Sequence, residues 1–304
     1  MPKLSPLASF LVRLGGTAAA LAYVATRVDF AEAGRALATI PIASFAAAVA
    51  LVAGNVVVGA LRWRVLLRAY GATEIPTTAR LVYLYFVAFF YNNYLPGAVV
   101  GDVGRGVVTR DALAEGATGA LSVVLVERAL GLFGLFALLA VGLVVAGRGG
   151  ALWWWTAVGC AGSAAIVAAI PLARRIGPHL PARLARFADR LPRLRDGGAF
   201  VIAIALSIVT QAMIAIAGWL LLAALAPISF AGSLLVVPLA AATTFLPITV
   251  GGTGARETAY VLLCGELFHM PEADAVAASL ALWLAHLAVG AAGGIAQLVA
   301  RGHK

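Results

Sequence analysis

Six stretches of this chain stay apolar for about 20 residues, the length a helix needs, at 1.5 Å rise per residue, to cross the hydrocarbon core of a bilayer. They fall at roughly 6–26, 41–61, 118–146, 152–172, 199–226 and 275–300. Helices satisfy every backbone amide within their own segment, so the expected fold is an all-α polytopic membrane protein with about six full transmembrane helices. The 62% hydrophobic and 12% charged content excludes an ordinary soluble globule, for which about 45–50% and about 25% are usual.

Two further apolar pieces, 79–94 and 230–245, are too short to fit this pattern comfortably, and each runs into a copy of one motif. The stretch 94–105, YLPGAVVGDVGR, aligns without gaps on 245–256, FLPITVGGTGAR. Leu-Pro falls on Leu-Pro, Gly101 on Gly252, Arg105 on Arg256, and the same register sets Pro76 on Pro227. Pro96 and Pro247 are expected to break the incoming helices, with Gly101, Gly252 and Gly254 allowing tight reversal and close approach. The expectation is therefore two re-entrant helical hairpins, at about 79–113 and 230–268. Such paired interruptions point to a substrate site between internal repeats.

The net charge of +9 is explained by membrane topology and not by nucleic acid, because most cations fall in short links between spans. Lys3, Arg62, Arg64, Arg68, Arg80, the arginines of the link 174–197, Arg301 and Lys304 mark one side as cytoplasmic. The other side holds Arg27, Arg35 and Arg148, with Asp29 and Glu32 beside them. Both termini are then expected inside, at the inner cell membrane. The first hairpin enters from the cytoplasm and the second from outside, so the repeats are inverted. The chain reads as a single transmembrane domain, 1–304, with pseudo-symmetric halves of roughly 1–173 and 198–304. In the basic link Leu184, Phe187 and Leu191 share a helical face opposite the arginines, suited either to anionic lipid or to a loop that only fixes topology. Trp153, Trp154 and Trp155 read as an interfacial aromatic belt. Arg13 interrupts the first apolar run, which argues for a retained span over a signal peptide.

Ionisable residues at membrane depth are costly and face a cavity or a partner. Arg105 and Asp102 follow the first break, Arg256 and Glu257 the second, and Glu127-Arg128 lies inside the span at 118–146. Three arginines against Asp102, Glu127 and Glu257 leave no net charge. Either they neutralise one another to hold helices together, or they read a phosphate through the planar guanidinium fork. Asn93 lies in the first hairpin arm among Tyr83, Tyr85, Tyr91, Asn92 and Tyr94; Thr243 and Thr244 replace the two asparagines in the second. Asn55, Gln211 and His286 read as interhelical hydrogen-bonding groups. Cys160 and Cys264 read as packing residues. The four histidines lack metal-ligand spacing, and neither a Walker loop nor a nucleophile elbow occurs, so no metal, cofactor or enzymatic activity is expected.

Asn93-Tyr94-Leu95-Pro96-Gly97 with Gly101-Asp102 and Arg105, then Glu127-Arg128, then Leu246-Pro247 with Gly251-Gly252-Thr253-Gly254-Ala255-Arg256-Glu257, resembles the flippase-like, lysylphosphatidylglycerol synthase transmembrane family. The resemblance implies a cytoplasmic-membrane lipid transporter moving aminoacylated or lipid-linked amphiphiles between leaflets. From the duplication and the buried charge, Arg105, Arg128 and Arg256 are expected to contact phosphate, Glu127, Asp102 and Glu257 to orient them or read an amine, and the backbone at Gly101, Gly252 and Gly254 to supply N–H donors, with Asn93 beside them. In that family an aspartate often follows the Glu-Arg pair, whereas Gly131 stands here with no acid nearby. Two-part members carry a cytosolic aminoacyl-transferase domain; the sequence stops at Lys304 just past its last span, so lipid aminoacylation is not expected of it. Expected partners are a membrane phospholipid or lipid-linked substrate, with a second copy or a lipid-synthesising enzyme alongside. The alternatives are a secondary transporter of a small anion, a membrane-embedded lipid-modifying enzyme, or a non-transporting scaffold.

Overall fold

The structure is a computed structural model that describes residues 6–95, 99–245 and 252–302, with side chains described from 14 to 300 within those limits. Among the described residues every regular element is helical. The helices are α1 (Pro6–Arg27), α2 (Phe30–Thr39), α3 (Ile42–Ala69), α4 (Thr78–Tyr94), α5 (Val100–Val108), α6 (Gly116–Val145), α7 (Ala151–Ile176), α8 (Ala182–Asp189), α9 (Gly197–Ala223), α10 (Phe230–Thr243), α11 (Ala255–Phe268) and α12 (Glu272–Gly302).

Five helices among the described residues are long and apolar enough to cross a bilayer, covering α3, α6, α7, α9 and α12. The sixth expected span coincides with α1, a helix of 22 residues. The two odd segments are broken helices. α4 runs 17 residues and α5 only 9, about 25 and 13 Å, against a hydrocarbon core of about 30 Å. α10 and α11 run 14 residues each, about 21 Å. The arms of each pair pack on one another, α4 on α5 and α10 on α11. The expected breaks at Pro96 and Pro247 lie outside the described residues.

The same order of elements occurs twice: long helix, short arm, short arm, long helix, as α3 to α6 and again as α9 to α12. The most extensive pairing joins α3 to α9, stitched by Asn55 Nδ2 donating to the Thr210 carbonyl at 2.7 Å. Each incoming arm then packs across onto the other set, α4 against α12 and α10 against α6. Glycines permit both crossings. A Cβ on Gly293 of α12 would land on the Phe86 carbonyl of α4, and one on Gly142 of α6 would come within 2.7 Å of the Leu234 Cβ of α10. With Gly290 against the Tyr94 ring and Gly294 against Phe90, α12 presents a Gly-x-x-x-Gly face of the kind that lets membrane helices approach closely.

Three sequence expectations change. Arg62 does not mark the cytoplasmic end of its span: α3 continues to Ala69, and Arg62 is buried about 10 Å before the end. The span outlasts its first arginine because carboxylates from other helices neutralise it, as described below. In the link, α7 runs on through Ile176 and α8 stops at Asp189, so Leu191 is not on the face of Leu184 and Phe187. Leu191 is buried in the core beside α3 while those two are exposed. The link itself is pinned to α3, since Arg195 and Asp196 both donate their N–H to the Ala69 carbonyl, at 2.7 and 3.1 Å. The short helix α2 has no counterpart in the reading above; Asp29 caps it by accepting from Ala31 N–H at 2.8 Å.

Trp153, Trp154 and Trp155 are exposed at the start of α7, consistent with an interfacial belt.

Candidate functional site

Glu127 lies about 17 Å along the 30-residue α6 and is 1% exposed. A carboxylate there requires compensation, and three side chains from other helices converge on it. Its Oε1 accepts from Tyr85 Oη of α4 at 2.5 Å and from Arg62 of α3 through Nη2 at 3.2 Å and Nε at 3.3 Å. Its Oε2 accepts from Arg105 Nη2 of α5 at 2.6 Å. Arg105 also reaches Asp102 Oδ1, one turn before it, at 3.1 Å. Asp102 Oδ2 in turn accepts from Arg128 Nε at 2.9 Å and Nη2 at 2.6 Å. Arg62 Nη1 completes the set, donating to Ser207 Oγ at 3.3 Å and Thr210 Oγ1 at 3.2 Å on α9.

Five helices thus meet in one ionic network of Arg62, Arg105 and Arg128 against Asp102 and Glu127. Three cations face two anions, so the network carries one excess positive charge. Arg105, 3% exposed, is sandwiched with its Cζ 4.3 Å from the centroids of both the Trp63 and the Tyr85 ring. The aromatic faces stabilise a cation whose Nε and Nη1 have no hydrogen-bond partner among the described residues. The short helix carrying it is held against α4 by Gly101, whose N–H donates to Asn92 Oδ1 at 2.9 Å. A Cβ at Gly101 would collide with the Ala88 carbonyl.

The expected meeting of Arg105, Arg128 and Arg256 occurs only for the first two, and the third cation of that network is Arg62, from 65 residues upstream of Glu127. Nothing in local sequence signals it, because Arg62 sits among Arg64 and Arg68 where a topology signal is the natural reading. Glu127 pairs with two arginines, Arg62 and Arg105.

Arg256 belongs to a second cluster. It pairs with its neighbour Glu257 and donates from Nε to Ser279 Oγ of α12 at 3.1 Å, while Ser279 Oγ donates to Glu257 Oε1 at 3.3 Å. Glu257 Oε2 accepts from the Gly254 N–H at 2.8 Å, closing the start of α11. Gly252 and Gly254 hold φ of +81° and +82°, the left-handed region where a side chain would be strained. The N–H groups of Gly101 and Gly254, expected as donors to an anion, are both engaged within the protein.

Two cavities flank these clusters and share Thr244. One, of about 240 Å³, is lined by Arg62, Asp102, Glu127, Arg128, Gln211 and Thr244 among others. The other, of about 430 Å³, is lined by Asn92, Asn93, Thr253, Arg256, Tyr260 and His286 together with aromatic and aliphatic groups. Gln211 is thus a cavity-lining group. Asn93 Nδ2 donates to the Phe89 carbonyl one turn back, at 2.8 Å. His286 was expected to bond between helices; instead its Nδ1 lies 2.7 Å from the Leu282 carbonyl of its own helix, and its ring stacks on Phe89 of α4 at 5.7 Å. The Tyr260 hydroxyl, on a side chain 1% exposed, has no partner among the described residues and belongs to a residue lining the larger cavity.

Long apolar helices around a buried arginine-rich ionic network and two polar cavities define the chain as a polytopic helical membrane protein with charge held at depth. It belongs to the family described as lysylphosphatidylglycerol synthase TM region, whose sequence model matches residues 8–294. That assignment covers the membrane part, agrees with the resemblance read from the motifs, and associates the chain with lipid handling. No curated protein matches it.

Proposed function

We propose that the protein is a lipid transporter that moves a phosphate-bearing amphiphile between leaflets through the two cavities, while the acyl chains stay in the bilayer. The observation that carries this reading is the network of three arginines and two carboxylates, of which Arg62, Arg128, Asp102 and Glu127 line a cavity and Arg105 lies buried behind it. A purely structural cluster gains nothing from an excess positive charge at membrane depth, whereas a phosphate would neutralise it. Arg128 and Arg105 would exchange carboxylate oxygens for phosphate oxygens, and Glu127 and Asp102 would hold the guanidinium planes or read an amine. On the other side of Thr244, Arg256, Asn93 and the Tyr260 hydroxyl would receive the headgroup.

The two element sets support an inverted repeat with α4–α5 and α10–α11 as re-entrant hairpins. The register that sets Arg105 on Arg256 also sets Gly142 on Gly293, and these are the two glycines at which an arm of the opposite set crosses. It sets Arg128 on Ser279 as well, each the α6 or α12 residue that hydrogen-bonds the hairpin's charged group. A site made of two such halves suits alternating exposure around a fixed centre. On this reading both termini face the cytoplasm of an inner membrane, and anionic lipid lies under the basic link beside exposed Leu184 and Phe187.

A leaflet-exposure assay with purified protein in vesicles tests the proposal. Arg105→Ala, Arg128→Ala and Arg256→Ala are each expected to slow translocation of a labelled anionic phospholipid at least tenfold. Unchanged translocation in all three would remove the site.

A further inference from the structure

A third cavity, of about 360 Å³, adjoins the two that the transport reading uses, sharing Leu95 with the larger of them. It is a groove between the arms α4 and α5, with Gln297 of α12 also in its lining. Its floor is apolar: Leu84, Val87, Ala88 and Leu95 from α4, Val100 and Val108 from α5. Exposed Val103 and Val107 carry the apolar surface around the outside of α5. From Arg80 to Leu95 the groove follows α4 for 15 steps of 1.5 Å, about 22 Å, enough to accept a chain across one leaflet's share of a core about 30 Å thick.

The charges along the groove say what fills it. Arg80 is exposed at the N-terminal end of α4, its Cζ 5.1 Å from the centroid of the Tyr83 ring. Arg105 lines the same groove farther in, and it is the residue whose carboxylate partners, Asp102 and Glu127, line the charged cavity. Its Nε and Nη1 are buried donors without a hydrogen-bond partner among the described residues. An apolar trough with one cation at its outer end and another in its wall complements an amphiphile with one phosphate and a long chain. Gly104 leaves the trough open, since a Cβ there would meet nothing within 4 Å.

We infer that the α4–α5 groove is a loading position for an anionic glycerophospholipid, with one acyl chain between the arms and the phosphate at Arg80, from which it passes to Arg105. This rests on the transport reading for what happens next, but the groove's occupancy is measurable without any transport.

The test uses the full chain in vesicles containing phosphatidylglycerol with a photoreactive diazirine in one acyl chain, followed by mapping of the labelled peptides. Label is expected to concentrate on 80–108 over the outward face of α9 at Val201 and Ile202. Gly104→Leu fills open space and is expected to reduce the groove label at least fivefold while leaving the α9 label unchanged; unaltered thermal unfolding establishes that the variant is folded. Arg80→Gln is expected to weaken labelling by the phospholipid but not by a diacylglycerol carrying the same diazirine. Even labelling of all outward faces, or a groove label indifferent to Gly104→Leu, overturns the inference. Equal loss of both probes in Arg80→Gln overturns the phosphate's part in it. Groove labelling with no translocation in any assay refutes the transport reading alone, and translocation that needs Arg128 without groove labelling refutes the groove alone.

Discussion

Glu127 is the anion on which the network turns, because its two oxygens hold two arginines and a tyrosine from three different helices. Removing one partner of a buried ion pair leaves the other charge uncompensated, at a cost of about 3–5 kcal/mol. Glu127→Gln is therefore expected to lose stability on that scale in thermal or denaturant unfolding in detergent. Tyr85→Phe removes a hydrogen bond to a charged acceptor together with the long one, 3.4 Å, that its hydroxyl accepts from Arg62 Nη2, and is expected to lose about 1.5–3 kcal/mol. A Glu127→Gln loss below that of Tyr85→Phe would mean that the arginines are neutralised elsewhere. The charged residues of the hairpins and of α6 could be singled out in the sequence because charge is rare within apolar runs. Arg62 could not, because its partners come from helices distant in sequence and its neighbours imitate an interfacial cluster.

At the scale of elements, the crossings of α4 with α12 and of α10 with α6 rest on backbone approach at glycine. Gly293→Leu places a side chain where the Phe86 carbonyl now sits and must push α4 away. We expect it to destabilise the protein by about 1–3 kcal/mol or more, the range for overpacking, whereas Gly265→Leu, with nothing within 4 Å, is expected to cost little by comparison. Equal unfolding midpoints for the two variants would count against a tight α4–α12 contact. The long helices and the two interrupted segments were legible because length and hydropathy are local properties. The partner each arm chooses was not, since it depends on a glycine face whose meaning appears only when the opposing backbone is known. The end of α3 was misplaced for a related reason: a buried arginine with distant counterions looks, in sequence, like the edge of the membrane.

For the whole molecule, the proposed inverted arrangement makes a claim about sides. With Cys160 and Cys264 replaced, single cysteines at Glu74 and Asp111 flank the α4–α5 pair, and cysteines at Pro227 and Pro271 flank the α10–α11 pair; all four positions are exposed. Re-entrant hairpins of opposite orientation require a membrane-impermeant thiol reagent to reach the first two from one side and the last two from the other. Glu74 and Asp111 labelling from different sides would make the first pair a spanning element and end the inverted-repeat reading. The halves are also unequal, which the duplicated motif alone conceals. In the shared register Glu127 falls on Ala278, and Arg256 takes its counterion from the adjacent Glu257. One half thus builds its charge balance across helices and the other largely within a single turn, so loosening of the helices disturbs the first far more than the second.

Trp63 sits against this sensitive half. Fully buried, with its ring under the Arg105 guanidinium and its Nε1 without a partner, it is an optical reporter placed by the fold itself. An anion that draws Arg105 away from the indole removes a cation from the excited state's surroundings. The emission of a variant retaining Trp63 alone, with phenylalanine at the other five tryptophans, should then shift and brighten as an anionic amphiphile is titrated in, turning occupancy into a fluorescence signal without a label.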